Sequence, residues 1–199
     1  MIEFWPSTHT QVRFLRRIFG STRMIMMALV AMLPMLCAFQ SNDAEAPSTE
    51  YLIKAAFVYN FAQFVDWPAE AFPRNDSPII IGILGSDPFS AAVTRSIQDK
   101  TAKGRPFVVR RLGMEPAVKE CHILVVSASE ARRFDKLMKL INGAPVLTIG
   151  ESNGFARNGG IINLVLENGK TRMEINVGAA NQARLNISSK LLSLAKIVQ

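Results

Sequence analysis

The run Ile79-Ile80-Ile81-Gly82-Ile83-Leu84 contains no polar residue and stops abruptly at Gly85-Ser86-Asp87-Pro88. A strand with one wet face alternates apolar and polar residues, whereas a strand covered on both faces is apolar throughout. This run therefore predicts a central strand of a buried sheet. Phe89 to Gln98, directly after it, has helical character, and the pattern then repeats. Phe107-Val108-Val109 follows Gly104-Arg105-Pro106 as a second strand, and His122-Ile123-Leu124-Val125-Val126 is a third. Ser127-Ala128-Ser129-Glu130 opens a helix to about Ile141, stopped by Asn142-Gly143, and Val146-Leu147-Thr148-Ile149-Gly150 is a fourth strand. Strands alternating with helices predict an α/β domain with a mixed, mostly parallel sheet between helical layers.

The C-terminal end reads differently. Gly160 to Leu166 and Arg172 to Val177 flank Glu167-Asn168-Gly169-Lys170, the pattern of a β-hairpin. In its second strand Met173, Ile175 and Val177 share one face, and Arg172, Glu174 and Asn176 the other, which alternation assigns to solvent. From Ala179 a helix or helix pair is expected, irregular at Asn186-Ile187-Ser188 and ending in an amphipathic Lys190 to Val198. Upstream, Tyr51 to Trp67 runs seventeen residues without a breaker and meets Pro68, so it reads as a helix. Leu52, Ala55, Ala56, Tyr59, Ala62 and Val65 form one apolar stripe, and Phe57, Phe61 and Phe64 a second, so this helix needs cover on more than one side.

Before it, Gln40 to Thr49 is small and polar, and residues 39–49 are expected to be a flexible lead-in. Residues 1–38 hold Arg13, Arg16, Arg17 and Arg23, then the sixteen uncharged residues Met24 to Phe39 begin. A basic region, a short apolar core and small residues make a secretory signal peptide, and a core this short that contains Pro34 spans a bilayer poorly. Cleavage between 39 and 47 is expected to leave an exported mature chain with no membrane insertion of its own. The whole chain has 199 residues, 49% hydrophobic and 20% charged, with net charge +7. That excludes a disordered or fibrous protein. Beyond residue 38 the balance is 19 Lys+Arg against 15 Asp+Glu, an ordinary surface that does not point to nucleic acid.

Little in the chain supports catalysis. Cys121 and His122 are neighbours on a strand and face opposite ways, so they cannot form a dyad. With His122 the one histidine after the leader, His-based triads and His-rich metal sites are not expected, and neither is a cofactor. Gly85-Ser86-Asp87-Pro88 lacks both phosphate-loop fingerprints. The segment Glu151 to Gly160 (ESNGFARNGG) follows a strand at its carboxyl end, where open sheets bind ligands, and its glycines suit either close approach of a ligand or plain tight turns.

Several ordered motifs together resemble the YfiR family of periplasmic proteins: Lys54-Ala55-Ala56-Phe57-Val58-Tyr59-Asn60-Phe61, Val65-Asp66-Trp67-Pro68, Ile81-Gly82-Ile83-Leu84-Gly85, Cys121-His122-Ile123-Leu124, Ile149-Gly150-Glu151, Phe155-Ala156-x-x-Gly159-Gly160 and Glu174-Ile175-Asn176. The resemblance covers residues 50 to 197 and places a YfiR-like domain at 50–199. It implies a non-enzymatic regulator that binds the periplasmic sensor region of an inner-membrane diguanylate cyclase of YfiN type and holds it inactive; release raises cyclic-di-GMP and favours biofilm. It also implies disulfides in the best-known members. Here Ala156 and Asn163 stand where a cysteine pair would bracket the Gly-Gly turn, so control by an internal disulfide is not expected.

On this reading the partner-binding residues are Arg172, Glu174, Asn176, Ala180 and Arg184, and a second copy of the chain is a further candidate partner. The alternative is a periplasmic small-molecule-binding sensory domain, with Gly85, Ser86, Asp87, Glu151 and Asn158 as its ligand loops.

Overall fold

A computed structural model describes residues 48–86 and 88–199. The leader, the lead-in up to residue 47 and Asp87 lie outside the described residues. Helix α1 spans Thr49–Phe64, capped by Ser48, whose hydroxyl accepts from the Tyr51 N–H. It ends three residues earlier than the sequence predicts. Val65–Asp66 form β1 and pair antiparallel with β9, Asn186–Ile187. The β-branched Val65 is fully buried there, and pairing with a distant segment displaces what would be the last helical turn.

The main sheet contains β2 (Ile79–Leu84), β3 (Thr101–Ala102), β4 (Arg105–Leu112), β5 (Ile123–Val126), β6 (Leu147–Gly150), β7 (Ile162–Glu167), β8 (Lys170–Asn176) and β10 (Lys196–Val198). Their order is β10-β8-β7-β6-β5-β2-β4-β3. The five strands β4, β2, β5, β6 and β7 run parallel; β8 turns back against β7, β10 lies parallel to β8, and β3 is antiparallel to β4. This is the expected mixed, mostly parallel α/β sheet. Strand β4 is longer than the predicted Phe107 to Val109 because it pairs along all of β2, from Ile79↔Phe107 to Leu84↔Leu112.

Helices α1 and α2 (Pro88–Ile97) cover one face of the sheet, where Ile81, Ile83, Ile123, Val125, Leu147, Ile149, Ile162 and Ile175 are buried. On the other face Leu84, Leu124 and Val126 meet Phe134, Leu137 and Ile141 of α3 (Phe134–Ile141). The expected single helix from Ser127 is divided: Ala128–Arg133 is a 3-10 turn before α3 begins. The hairpin β7-β8 turns through Asn168 (φ 51°) and Gly169 (φ 72°), both left-handed, as a two-residue turn with the twist of its strands requires.

Beyond the hairpin come α4 (Val177–Gln182) and α5 (Ser189–Leu192). The predicted amphipathic helix Lys190 to Val198 is corrected: only its first residues are helical, and Lys196–Val198 add to the sheet beside Glu174–Asn176. Nine residues are too few for periodicity to separate a helix from a turn and a strand, and the open edge of β8 decides between them. Among the described residues no helix is long and apolar enough to cross a membrane.

Candidate functional site

The segment from Glu151 to Gly160 joins β6 to β7 and folds on itself: the Phe155 N–H donates to Ser152 O, Asn158 N–H to Gly154 O and Gly160 N–H to Phe155 O. Phe155 is buried and packs on Phe134, ring centroids 4.9 Å apart. A Cβ on Gly150 would lie 2.5 Å from the Phe155 ring, and one on Gly160 2.2 Å from it. The Phe155 ring fills the space beside both glycines, so neither position has room for a side chain.

The proposed ligand-loop residues are distributed. Gly85 (φ 92°) packs against Ser127, Ser86 is exposed, and Asp87 lies outside the described residues. Glu151 is committed to Lys54 of α1, its Oε2 2.7 Å from the Nζ, while Glu50 Oε1 is 2.6 Å from the same atom. Lys54 is 5% exposed. Burial works against its charge, but hydrogen bonds to Glu151 and Glu50 outweigh that and raise its pKa above the ordinary 10.5. The sequence carried a signal for this ion cluster that its reading passed over: Lys54 shares a helical face with Val58, Phe61, Ala62 and Val65, where a charge needs partners. Asn158 belongs elsewhere. With Met138, Ile141, Gly143, Ala179 and Ala183 it lines an open cleft of about 200 Å³ between α3 and α4.

The expected polar, solvent-facing side of β8 is also corrected. Arg172 is exposed, but Glu174 is 8% and Asn176 9% exposed. Glu174 Oε2 accepts from Asn163 Nδ2 on β7 at 3.4 Å, and its Oε1 faces Lys196 at 3.5 Å and Arg157 at 3.9 Å. Asn176 donates from Nδ2 to Ala156 O and accepts at Oδ1 from the Ala179 N–H, capping α4. The residues over these strands come from the 151–160 loop, which brings backbone carbonyls and a guanidinium in place of an apolar helix face. Ala180 is buried in the core. Arg184 is exposed in a left-handed conformation (φ 56°), its Nη2 donating to Gly143 O. The structure thus brings Arg172 and Glu174 together with Lys196 and Leu194 around an open groove of about 330 Å³, and leaves Asn176, Ala180 and Arg184 out of it.

Cys121 and His122 face opposite ways, as expected. Cys121 is 3% exposed beside Gly82, and burial pushes its thiol up to about 11, so it stays protonated. The His122 ring stacks on Phe72 at 4.3 Å; its Nδ1 accepts from the Ile80 N–H, which leaves the proton on Nε2, 3.0 Å from Ala71 O. Burial first, opposed by the Ala71 carbonyl and aided by Arg105, lowers its pKa below 6.5. This imidazole is a neutral structural pin. Among the described residues no group of three or more His, Cys, Asp or Glu is placed to hold a metal ion.

A conserved domain protein from Vibrio cholerae O1 biovar eltor str. N16961 has a similar fold, with TM-score 0.54 and 12% identity over 75% of this chain and 60% of that one. An ABC domain in complex with L-Trp from Streptococcus pneumonia aligns with TM-score 0.44 and 12% identity, over 65% of this chain and 57% of that one. This chain therefore spans less than two thirds of the length of either solved structure. No curated protein matches the sequence. The YfiR/HmsC-like family model matches residues 51–196, and the chain accordingly belongs to the YfiR/HmsC-like family, a family of periplasmic regulators of diguanylate cyclases.

Proposed function

We propose that this protein is exported, processed between residues 39 and 47, and binds the periplasmic sensor region of an inner-membrane diguanylate cyclase of YfiN type, holding it inactive. The observation that carries this reading is the YfiR/HmsC-like match across residues 51–196. The docking face is the groove of Arg172, Leu194 and Lys196, with Glu174 at its floor. Leu194 is 73% exposed and offers apolar area, while the three cationic or anionic side chains around it set register. Repression by docking requires tighter binding to the inactive cyclase state than to the active one, since equal affinity shifts nothing.

Deleting the protein should raise cyclic-di-GMP, and the Arg172→Glu form, present at the normal level, should fail to lower it. Arg172 is the right test residue because it is exposed, whereas a reversal at Glu174 disturbs a buried cluster. Unchanged cyclic-di-GMP on deletion, with the cyclase expressed, would overturn the repressor reading. A second reading, a small-molecule sensory domain, draws support from the α3-α4 cleft and Asn158. A ligand retained through purification, and lost on Asn158→Leu, would bring that reading forward.

A further inference from the structure

At one end of the main sheet the outermost long strand is covered over only two of its residues. Strand β4 is bonded to β2 from Phe107 to Leu112, but on its other side it meets only the two residues of β3, at Thr101↔Pro106 and Ala102↔Arg105. Pro106 has no N–H, so the Arg105–Ala102 pair is the one that exchanges both hydrogen bonds. Alternation along the strand then turns the N–H and C=O groups of Val109 and Arg111 away from β2, toward the open edge. Among the described residues no backbone group bonds to them.

The side chains along this edge have one sign of charge. Val108 is 38% exposed and Arg110 and Arg111 are exposed, while Phe107 and Val109 pack against the core on the α1-α2 side. Strand β4 carries Arg105, Arg110 and Arg111 and no carboxylate. Arg105 is occupied, donating to Arg74 O and Ser77 O and lying 3.9 Å over the Phe72 ring. Arg110 has one loose surface contact, Glu120 at 3.6 Å, and Arg111 makes no ion pair among the described residues.

Charges on an edge strand deter pairing, but only with strands that do not answer them. A second copy does not answer them: an antiparallel two-fold pairing centred on Val109 sets the two Arg110 side chains diagonally on one face, about 7–8 Å apart. We propose that the open β4 edge docks an extended, acidic segment of a partner protein, which adds a strand beside Phe107 to Leu112. Adjacent residues of a strand point to opposite faces, so Arg110 and Arg111 call for two consecutive acidic residues in that segment. Next to them, β-branched residues would extend the faces of Val108 and Val109. Main-chain hydrogen bonds would supply affinity and the arginines the selection. This surface is separate from the Arg172 groove and does not rest on the identity of the cyclase.

The test uses a blocked peptide of about ten residues, threonine and valine around one Glu-Glu pair, and the same peptide with Lys-Lys. Residue-resolved amide exchange should show the Glu-Glu peptide slowing Val109 and Arg111 while leaving Lys196 to Val198 unchanged. The Lys-Lys peptide should bind about tenfold more weakly or worse, and Arg111→Glu, a change at an exposed side chain, should reverse that preference. Absence of protection at about 1 mM peptide, or equal binding of the two peptides, would overturn the proposal. Protection of the same amides that grows with protein concentration in the absence of peptide would also overturn it, assigning the edge to a second copy.

Discussion

Strands β2 and β5 are apolar on both faces, with α1 and α2 on one side and α3 on the other; β6 carries Thr148 on its second face, and β7 and β8 are apolar on one face and carry Asn163, Glu174 and Asn176 on the other. The base of the β7-β8 hairpin, from Ile162 to Leu164 and from Met173 to Asn176, is nevertheless buried as well. The difference lies in the cover. The helices here meet the sheet mostly with apolar side chains, which apolar ones match, whereas the 151–160 loop meets it with the Ala156 carbonyl and Arg157, which polar side chains can satisfy. A polar-apolar alternation in a strand therefore reports what lies over it, and water is only one of the answers.

The sharpest way to break this comparison is Glu174→Lys. If Glu174 is a buried, paired carboxylate, the substitution leaves Arg157, Lys196 and Asn163 without it and adds a like charge. It should cost about 3–5 kcal/mol in urea unfolding, whereas Arg172→Glu two residues earlier should stay within about 0.5 kcal/mol. Equal small effects would mean that the polar half is open to water. Gly160→Ala tests the loop as cover. Its Cβ would collide with the Phe155 ring and, at 2.8 Å, with the Phe155 carbonyl oxygen, so the loop must shift at a cost of about 1–3 kcal/mol. Gly113→Ala, with nothing within 4 Å, is the matched control and should be close to neutral.

A smaller effect comes from the apolar half, where His122 is pinned in its neutral form. Its folded pKa lies below 6.5, so the unfolded chain takes up the proton first as the pH falls. The contribution of His122 is present in full above about 6.5 and is lost progressively below it. Thermal melts from pH 7.5 down to pH 5 should show a decline in Tm that is weaker in His122→Asn; an identical decline would place the acid sensitivity elsewhere. The smallest effect belongs to Cys121. With its thiol pushed up to about 11, it should resist labelling by a disulfide reagent at pH 8 until the protein is unfolded, and reductant should leave Tm unchanged.

Much of this could be read from the chain. Ile79 to Leu84 and Ile123 to Val126 could be recognised as central strands because a strand covered on both faces is apolar throughout, and Leu147 to Gly150 is interrupted only by Thr148, whose hydroxyl accepts from the Ile161 N–H. The Asn168-Gly169 turn was legible because left-handed backbone selects those residue types. The end of α1 was not, since Val65 and Asp66 suit a helix or a strand and the choice belongs to Asn186 and Ile187, which are distant in sequence. Of the interaction residues, the exposure of Arg172 and Arg184 followed from residue type alone. The burial of Glu174, Asn176 and Lys54 did not, because each depends on a partner from another element: Arg157 and Lys196, Ala156, and Glu151.

What the sequence by itself determined is the set of elements that the solvent and the backbone select locally: which runs must be covered, where turns fall, and, through motifs spread from Lys54 to Asn176, the family. What only the tertiary structure decided is the identity of each cover. A Cβ-free surface on Gly150 and Gly160 becomes the seat for Phe155, a polar strand face becomes a buried ion cluster, and β4 keeps one edge unpaired beyond Pro106. The physical reason is that burial is a property of pairs of surfaces: a residue carries its own volume, charge and hydrogen-bonding groups, but whether these meet water, a carbonyl or a ring is settled by a segment many positions away.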